Sequence, residues 1–162
     1  MGKQNRGRYL ALQYDCGQPN LEELTKEQIK VLNYLVRSIL TIETTNGTWC
    51  PSCPVYKQSH PISSLIKEML GGDILHCPTK RGETHYWNLL SNGEEIDLTY
   101  EEIKFGEDSL LYEEIDILEE EDMGFKSIHE ARRYSLLTKK AEYLIRDYGV
   151  ETLGEVLNLY QC

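Results

Sequence analysis

His85 and Asp97 stand on either side of an Asn92-Gly93 pair. A histidine beside a carboxylate supplies the base and the orienter of a nucleophilic triad: the carboxylate fixes the ring, and the ring takes a proton from a thiol or hydroxyl. Asn and Gly tolerate the positive φ of a tight type I′ turn, so the aromatic and branched residues before that pair and Glu95 to Leu98 after it are expected to form antiparallel strands. Pairing outward from the turn sets residues whose numbers sum to about 185 opposite each other, which leaves His85 one diagonal neighbour from Asp97. A slip of one residue would send the two side chains to opposite faces.

The groups that such a base would serve lie upstream. Pro61 suits the first position of a helix, Ile62, Leu65, Ile66, Met69 and Leu70 form its apolar stripe, and Gly71-Gly72 ends it. His60 is thereby placed at or next to the N-cap, where unsatisfied N–H donors favour a thiolate or an oxyanion. In an acyl or amide hydrolase or transferase, Cys53, Cys50 or Ser59 attacks the carbonyl carbon. His85 is the base, Asp97 orients it, and Gln58 or the helix N–H groups hold the oxyanion.

Trp49-Cys50-Pro51-Ser52-Cys53-Pro54 supports three readings. Cys50 and Cys53 are half of a tetrahedral zinc site, with His60, His76 and Cys77 as further soft ligands. Alternatively they are a thiol–disulfide pair, or two cysteines that pin a loop. A thioredoxin-type arrangement needs a buried strand just before the pair, and the polar run Glu43-Thr44-Thr45-Asn46-Gly47 stands there instead.

These residues need a scaffold. Thr25 and Gln28 form a capping box, and Ile29, Leu32, Leu35, Val36, Ile39 and Leu40 fall on one helical face. Residues 41 to 58 carry Gly47, Pro51 and Pro54 and are expected to form an irregular loop. Ile74 to Cys77 is an expected strand, and Thr99 with Glu102 an expected capping box for a short helix. Ser127 to Tyr148 is expected to form a long helix on Ile128, Ala131, Tyr134, Leu137, Ala141, Leu144, Ile145 and Tyr148, followed by a short one over residues 150 to 160. Residues 1 to 20 are expected to be loop or a docked tail around Tyr9-Leu10-Ala11-Leu12. The whole chain of 162 residues is expected to be one α+β domain.

A net charge of −10 argues against a nucleic-acid partner. Residues 94 to 122 alone hold fourteen Asp and Glu against one Lys, interleaved with Leu110, Leu111, Ile115, Ile117 and Leu118, which suits an edge strand or helix with a solvated face. No alternating oxygen ligands around a central glycine mark a calcium loop there. With no signal peptide or apolar span, and five cysteines, an odd number, the chain is expected in the cytoplasm and away from membranes.

Several of these pieces occur in one order: Glu43-Thr44-Thr45, Trp49, Gly71 to Leu75, His85-Tyr86-Trp87-Asn88, Gly93, Glu95, Asp97-Leu98-Thr99 and Arg132-Arg133-Tyr134-Ser135-Leu136-Leu137. That order resembles the YunG-type family of small bacterial proteins over roughly residues 21 to 145. The resemblance implies a Gly-Gln-Cys at the start of the helix that ends in Gly-Gly. Its Cys, with the later His and Asp, is similar to the order in papain-like and transglutaminase-like thiol enzymes. Here Gln58-Ser59-His60 falls at that place, so the thiol is missing. Ser59 replaces it, or Cys53 or Cys50 reaches back from the loop, or the reaction has been lost. In the last case Cys50, Cys53, His60 and Cys77 hold zinc or line a pocket, and Trp49, Tyr86 and Trp87 offer contact surface to a protein or small-molecule ligand. The expectation is a papain-like or transglutaminase-like α+β domain, with the binding scaffold preferred over the enzyme.

Overall fold

The structure is a computed structural model that describes residues 23 to 161, so the Tyr9 to Leu12 patch, Cys16 and Cys162 lie outside the described residues. Helix α1 (Lys26–Ile39) begins with the expected capping box: the Thr25 hydroxyl accepts the Gln28 N–H, and the Gln28 side chain accepts the Thr25 N–H. A series of turns leads to α2 (Ser59–Leu70). This helix starts two residues before Pro61, because first-turn N–H groups have no partner inside the helix and a proline there costs no bond. Ser59 is therefore the first helical residue and Gln58 the N-cap.

Strands β1 (Asp73–Pro78) and β2 (Thr84–Leu89) follow, then a short β3 (Glu95–Ile96), helix α3 (Glu101–Phe105) and β4 (Asp116–Ile117). The sheet is antiparallel throughout, in the order β3-β2-β1-β4. The later part of the acidic run thus supplies an edge strand flanked by two short 3₁₀ turns, with Glu113, Glu114, Asp116 and residues 119 to 122 exposed. Helices α4 (Ile128–Asp147) and α5 (Leu153–Asn158) complete the described chain. Ile128, expected in the α4 stripe, is 64% exposed, whereas Leu137, Ala141 and Ile145 carry the packing.

The two faces of the sheet are covered differently, which fixes where every site residue points. Even-numbered residues of β2 and β3 face the helical layer: Asn88 donates to the Ser63 carbonyl of α2 (2.9 Å), Tyr86 packs on His60, and Ile96 joins Leu32, Ile39, Ile62, Ile66, Leu137 and Val156 in one core. Odd-numbered residues face away from α2. Leu75, Cys77, Trp87 and Leu89 form a second core there, closed by Ile103 of α3 and by Leu110.

The β2–β3 connection corrects the expected turn. Asn92 keeps a negative φ, and Gly93 alone has a positive one, at 86°. Leu90 N–H donates to the Glu94 carbonyl and Gly93 N–H to the Leu90 carbonyl, which makes Ser91 to Gly93 a three-residue loop with a glycine bulge. The register accordingly pairs Asn88 with Ile96, one residue off the expected pairing. Continued past Ile96, it sets Asp97 opposite Trp87 and on the same face as His85.

Gly72 joins α2 to the sheet at φ 80°, and a Cβ there would sit 2.2 Å from the Leu89 carbonyl oxygen. Gly72→Ala is expected to cost about 2 to 4 kcal/mol, by clash and by backbone strain together. Urea unfolding of the variant tests this; a loss below about 1 kcal/mol would mean that the contact relaxes freely.

Candidate functional site

His85 is 0% exposed and makes two short hydrogen bonds. Its Nε2 lies 2.6 Å from Asp97 Oδ2, and its Nδ1 lies 2.6 Å from Glu102 Oε1. Carboxylates only accept, so a ring held by two of them donates from both nitrogens and is an imidazolium. Burial is the largest single influence and pushes the pKa down, but the hydrogen bonds and charges of Asp97 and Glu102 outweigh it and raise the value to about 9. Trp87 stacks on the same ring at 5.8 Å between centroids.

Each carboxylate is held in turn. Asp97 Oδ1 accepts the Thr99 N–H at 3.1 Å and the Thr99 hydroxyl at 3.3 Å. Thr99 therefore serves Asp97 instead of capping α3, whose N-cap is Tyr100. Glu102 Oε2 accepts the backbone N–H of Lys57 at 2.8 Å, just before α2. The expected His85–Asp97 contact is present, and Glu102 is the partner that sequence reasoning missed. Its signal is the spacing Asp97-x-Thr99-x-x-Glu102, which puts a second carboxylate in the first turn of α3, back against the same ring.

Ser59 and Gln58 lie elsewhere. Both are buried, at 5% exposure, at the start of α2, and Glu102 stands between Ser59 and His85: it holds the ring and also lines the cavity at Ser59. The Gln58 amide donates to Thr48 Oγ1 at 3.1 Å and to the Tyr56 carbonyl at 3.4 Å, so it braces the loop. Ser59 lines a cavity of about 280 Å³ bounded also by His60, Thr84, Tyr86 and Glu102. A second cavity of about 240 Å³, walled by Thr44, Thr48, Phe125 and Tyr134, meets the first at Lys57 and His60. Burial depresses the His60 pKa, and its Nε2 is enclosed without a hydrogen-bond partner among the described residues. Its ring lies tilted between Tyr86 (4.8 Å between centroids, 40°) and Phe125 (5.1 Å, 51°).

The cysteines are dispersed. Cys53 is buried in the helical core, Cys77 in the core on the opposite face of the sheet, and Cys50 is half-exposed on the loop. Cys50, Cys53, His60 and Cys77 are thus not gathered at one point, and among the described residues no three His, Cys, Asp or Glu side chains are arranged to hold a metal ion. Trp87, expected as contact surface, is 5% exposed and donates its indole N–H to Glu95. Tyr86 and Trp49 are partly buried, and each lines a hollow. No helix among the described residues is long and apolar enough to cross a membrane.

These features define an α+β domain organised around a buried imidazolium, with a two-lobed cleft at the start of its central helix. The family model described as "YunG protein" matches residues 28–145, well over half of the chain, and the chain belongs to that family. No curated protein and no solved structure matches it.

Two outcomes are expected here. The folded pKa of His85 is raised above its unfolded value of about 6.5, so its stabilisation is complete below about pH 6.5 and is lost as pH rises through about 9. Between pH 6 and pH 9.5 the protein should lose roughly 3 kcal/mol from this group, a loss that His85→Gln should lack in urea titrations at the two pH values. Protein purified without an affinity tag should also carry no stoichiometric zinc by elemental analysis; one zinc per chain released with the thiols of Cys50 and Cys53 would overturn the dispersed arrangement.

Proposed function

We propose that this chain is a non-catalytic binding domain, whose cleft at the start of α2 takes a short peptide-like segment or small amide ligand. The single observation that carries this reading is the state of His85: both ring nitrogens are held by carboxylates, and the ring lies on the face of the sheet opposite α2. An imidazolium with no lone pair cannot take a proton from Ser59, Cys53 or Cys50. His85 and Asp97 therefore serve as structure rather than as a base and its orienter.

Backbone conformation supports the same conclusion at the nucleophile. Lys57 has φ 60°, the left-handed region that glycine occupies without strain. Matched on conformation, a Gly-Gln-Cys sequence falls on Lys57-Gln58-Ser59, one residue earlier than expected, and a hydroxyl stands where the thiol would be. Ser59 needs a stronger base than a thiol does.

The cleft itself favours an uncharged, hydrogen-bonding ligand. Lys57 and Arg81 on its wall face Glu83 and Asp108, and the third wall carboxylate, Glu102, is taken up by His85, so the wall offers no excess of cations to select an anion. The N–H groups of Ser59 and His60 belong to the first helical turn, where no carbonyl inside the helix receives them, and they are suited to a ligand carbonyl. His60, Tyr86, Phe125 and Tyr134 supply flat apolar walls.

A serine hydrolase is the competing reading, favoured by the burial of Ser59 against the cavity. A fluorophosphonate probe separates the two, with mass mapping of Ser59: the binding reading expects no labelling above that of Ser59→Ala. Labelling of Ser59 that disappears in a folded His85→Gln variant would establish the hydrolase. On the binding side, N-acetyl dipeptide amides should shift the amide resonances of Ser59 and His60, and Ser59→Trp, which fills the cavity, should abolish those shifts.

A further inference from the structure

The Cys50–Cys53 turn belongs to neither the imidazolium nor the cleft, and its two sulfurs are placed asymmetrically. The Cys53 N–H donates to the Cys50 carbonyl at 3.1 Å, closing a turn in which Pro51 and Ser52 are the central residues. Such a turn brings its end Cα atoms within about 7 Å, and a disulfide spans Cα atoms about 4.4 to 6.8 Å apart. The backbone N–H groups of Ser52 and Cys53 lie close enough to the Cys50 sulfur to favour its thiolate. Cys50 is half-exposed, whereas Cys53 is 0% exposed.

We propose that Cys50 and Cys53 form a two-thiol oxidation site for small hydroperoxides, with Cys50 as the attacking sulfur and Cys53 as the resolving one. The backbone donors at Cys50 hold its pKa below that of an ordinary thiol, while burial first, and then Glu101 and Glu102, raise that of Cys53. The Cys50 thiolate attacks one peroxide oxygen; the O–O bond breaks, hydroxide leaves, and Cys50 becomes a sulfenic acid. The sulfur of Cys53 then attacks the Cys50 sulfur, the S–O bond breaks, and the thiol proton leaves with the oxygen as water. One thiolate and one thiol are oxidised to one disulfide, and one hydrogen peroxide is reduced to water and hydroxide; with an organic hydroperoxide the alkoxide leaves in place of hydroxide. A thiol reductant reverses the step. This differs from a thioredoxin-type exchange centre, since Cys50 stands on a loop of turns well before α2 and not at the helix start. It is independent of what the cleft binds.

The test treats the full chain with hydrogen peroxide and maps its cysteines by mass spectrometry, with dimedone present to trap sulfenic acid. Wild type is expected to lose two hydrogens as a Cys50–Cys53 disulfide that dithiothreitol reverses, with little dimedone adduct. Cys53→Ser is expected to accumulate the adduct at Cys50, and Cys50→Ser to leave Cys53 a thiol. Folding of each variant is checked by circular dichroism; if Cys53→Ser fails to fold, Cys53→Ala serves in its place. Oxidation of Cys53 ahead of Cys50 would overturn the assignment. So would pairing of Cys50 with Cys16, Cys77 or Cys162, or a Cys50 that stays reduced while other cysteines oxidise.

Discussion

A charge enclosed by protein must be answered by opposite charge at hydrogen-bond distance, because burial withdraws the water that would otherwise stabilise it. In this chain His85 is enclosed and Asp97 and Glu102 answer it. The rest of the site follows from where those two carboxylates must come from. Asp97 arrives from the residue after β3, so the β2–β3 register cannot slip without losing it. Glu102 arrives from the first turn of α3, so that five-residue helix, too short to be stable alone, is tied to the sheet. Its second oxygen receives Lys57 N–H and so fixes the segment that enters α2. One buried imidazolium thus connects β2, the β3 extension, α3 and the start of the central helix.

That connection is the ground on which we read a set of residues of catalytic type as structure. A triad needs an imidazole with one nitrogen toward its orienter and the other toward the nucleophile. The second carboxylate occupies the nitrogen that would face a nucleophile, and the alternation of β2 sends the ring away from α2. What remains at the start of α2 is a recessed cleft with helix N–H groups, a hydroxyl and aromatic walls, an equipment suited to holding a carbonyl rather than attacking it. Its rigidity comes from the same source, since Lys57 at the cleft edge is held by Glu102.

Much of this was legible in the sequence where local rules decide. The capping box at Thr25 and Gln28, the glycine stop of α2, the strand pairing around Gly93 and the class of the fold follow from short-range patterns. The sequence also brought His85 and Asp97 together. It missed the loop length, because Asn-Gly suits both a two-residue turn and a three-residue loop with a bulge, and only the strands' packing chooses between them. Glu102 was hidden for a similar reason. Read locally, Thr99 and Glu102 are a capping pair, but a buried cation competes for Glu102 more strongly than an exposed helix end does. Spacing along the chain also does not reveal that Cys53 and Cys77, two of the residues expected at a zinc corner, belong to separate cores.

The central claim is the charge on His85, and ring ¹⁵N chemical shifts followed from pH 5 to pH 10 by NMR read it directly. The account predicts two protonated nitrogens at neutral pH and a midpoint near 9. A neutral ring at pH 7.5 titrating at or below about 6.5, with one nitrogen bare, would contradict it and would restore His85 as a base.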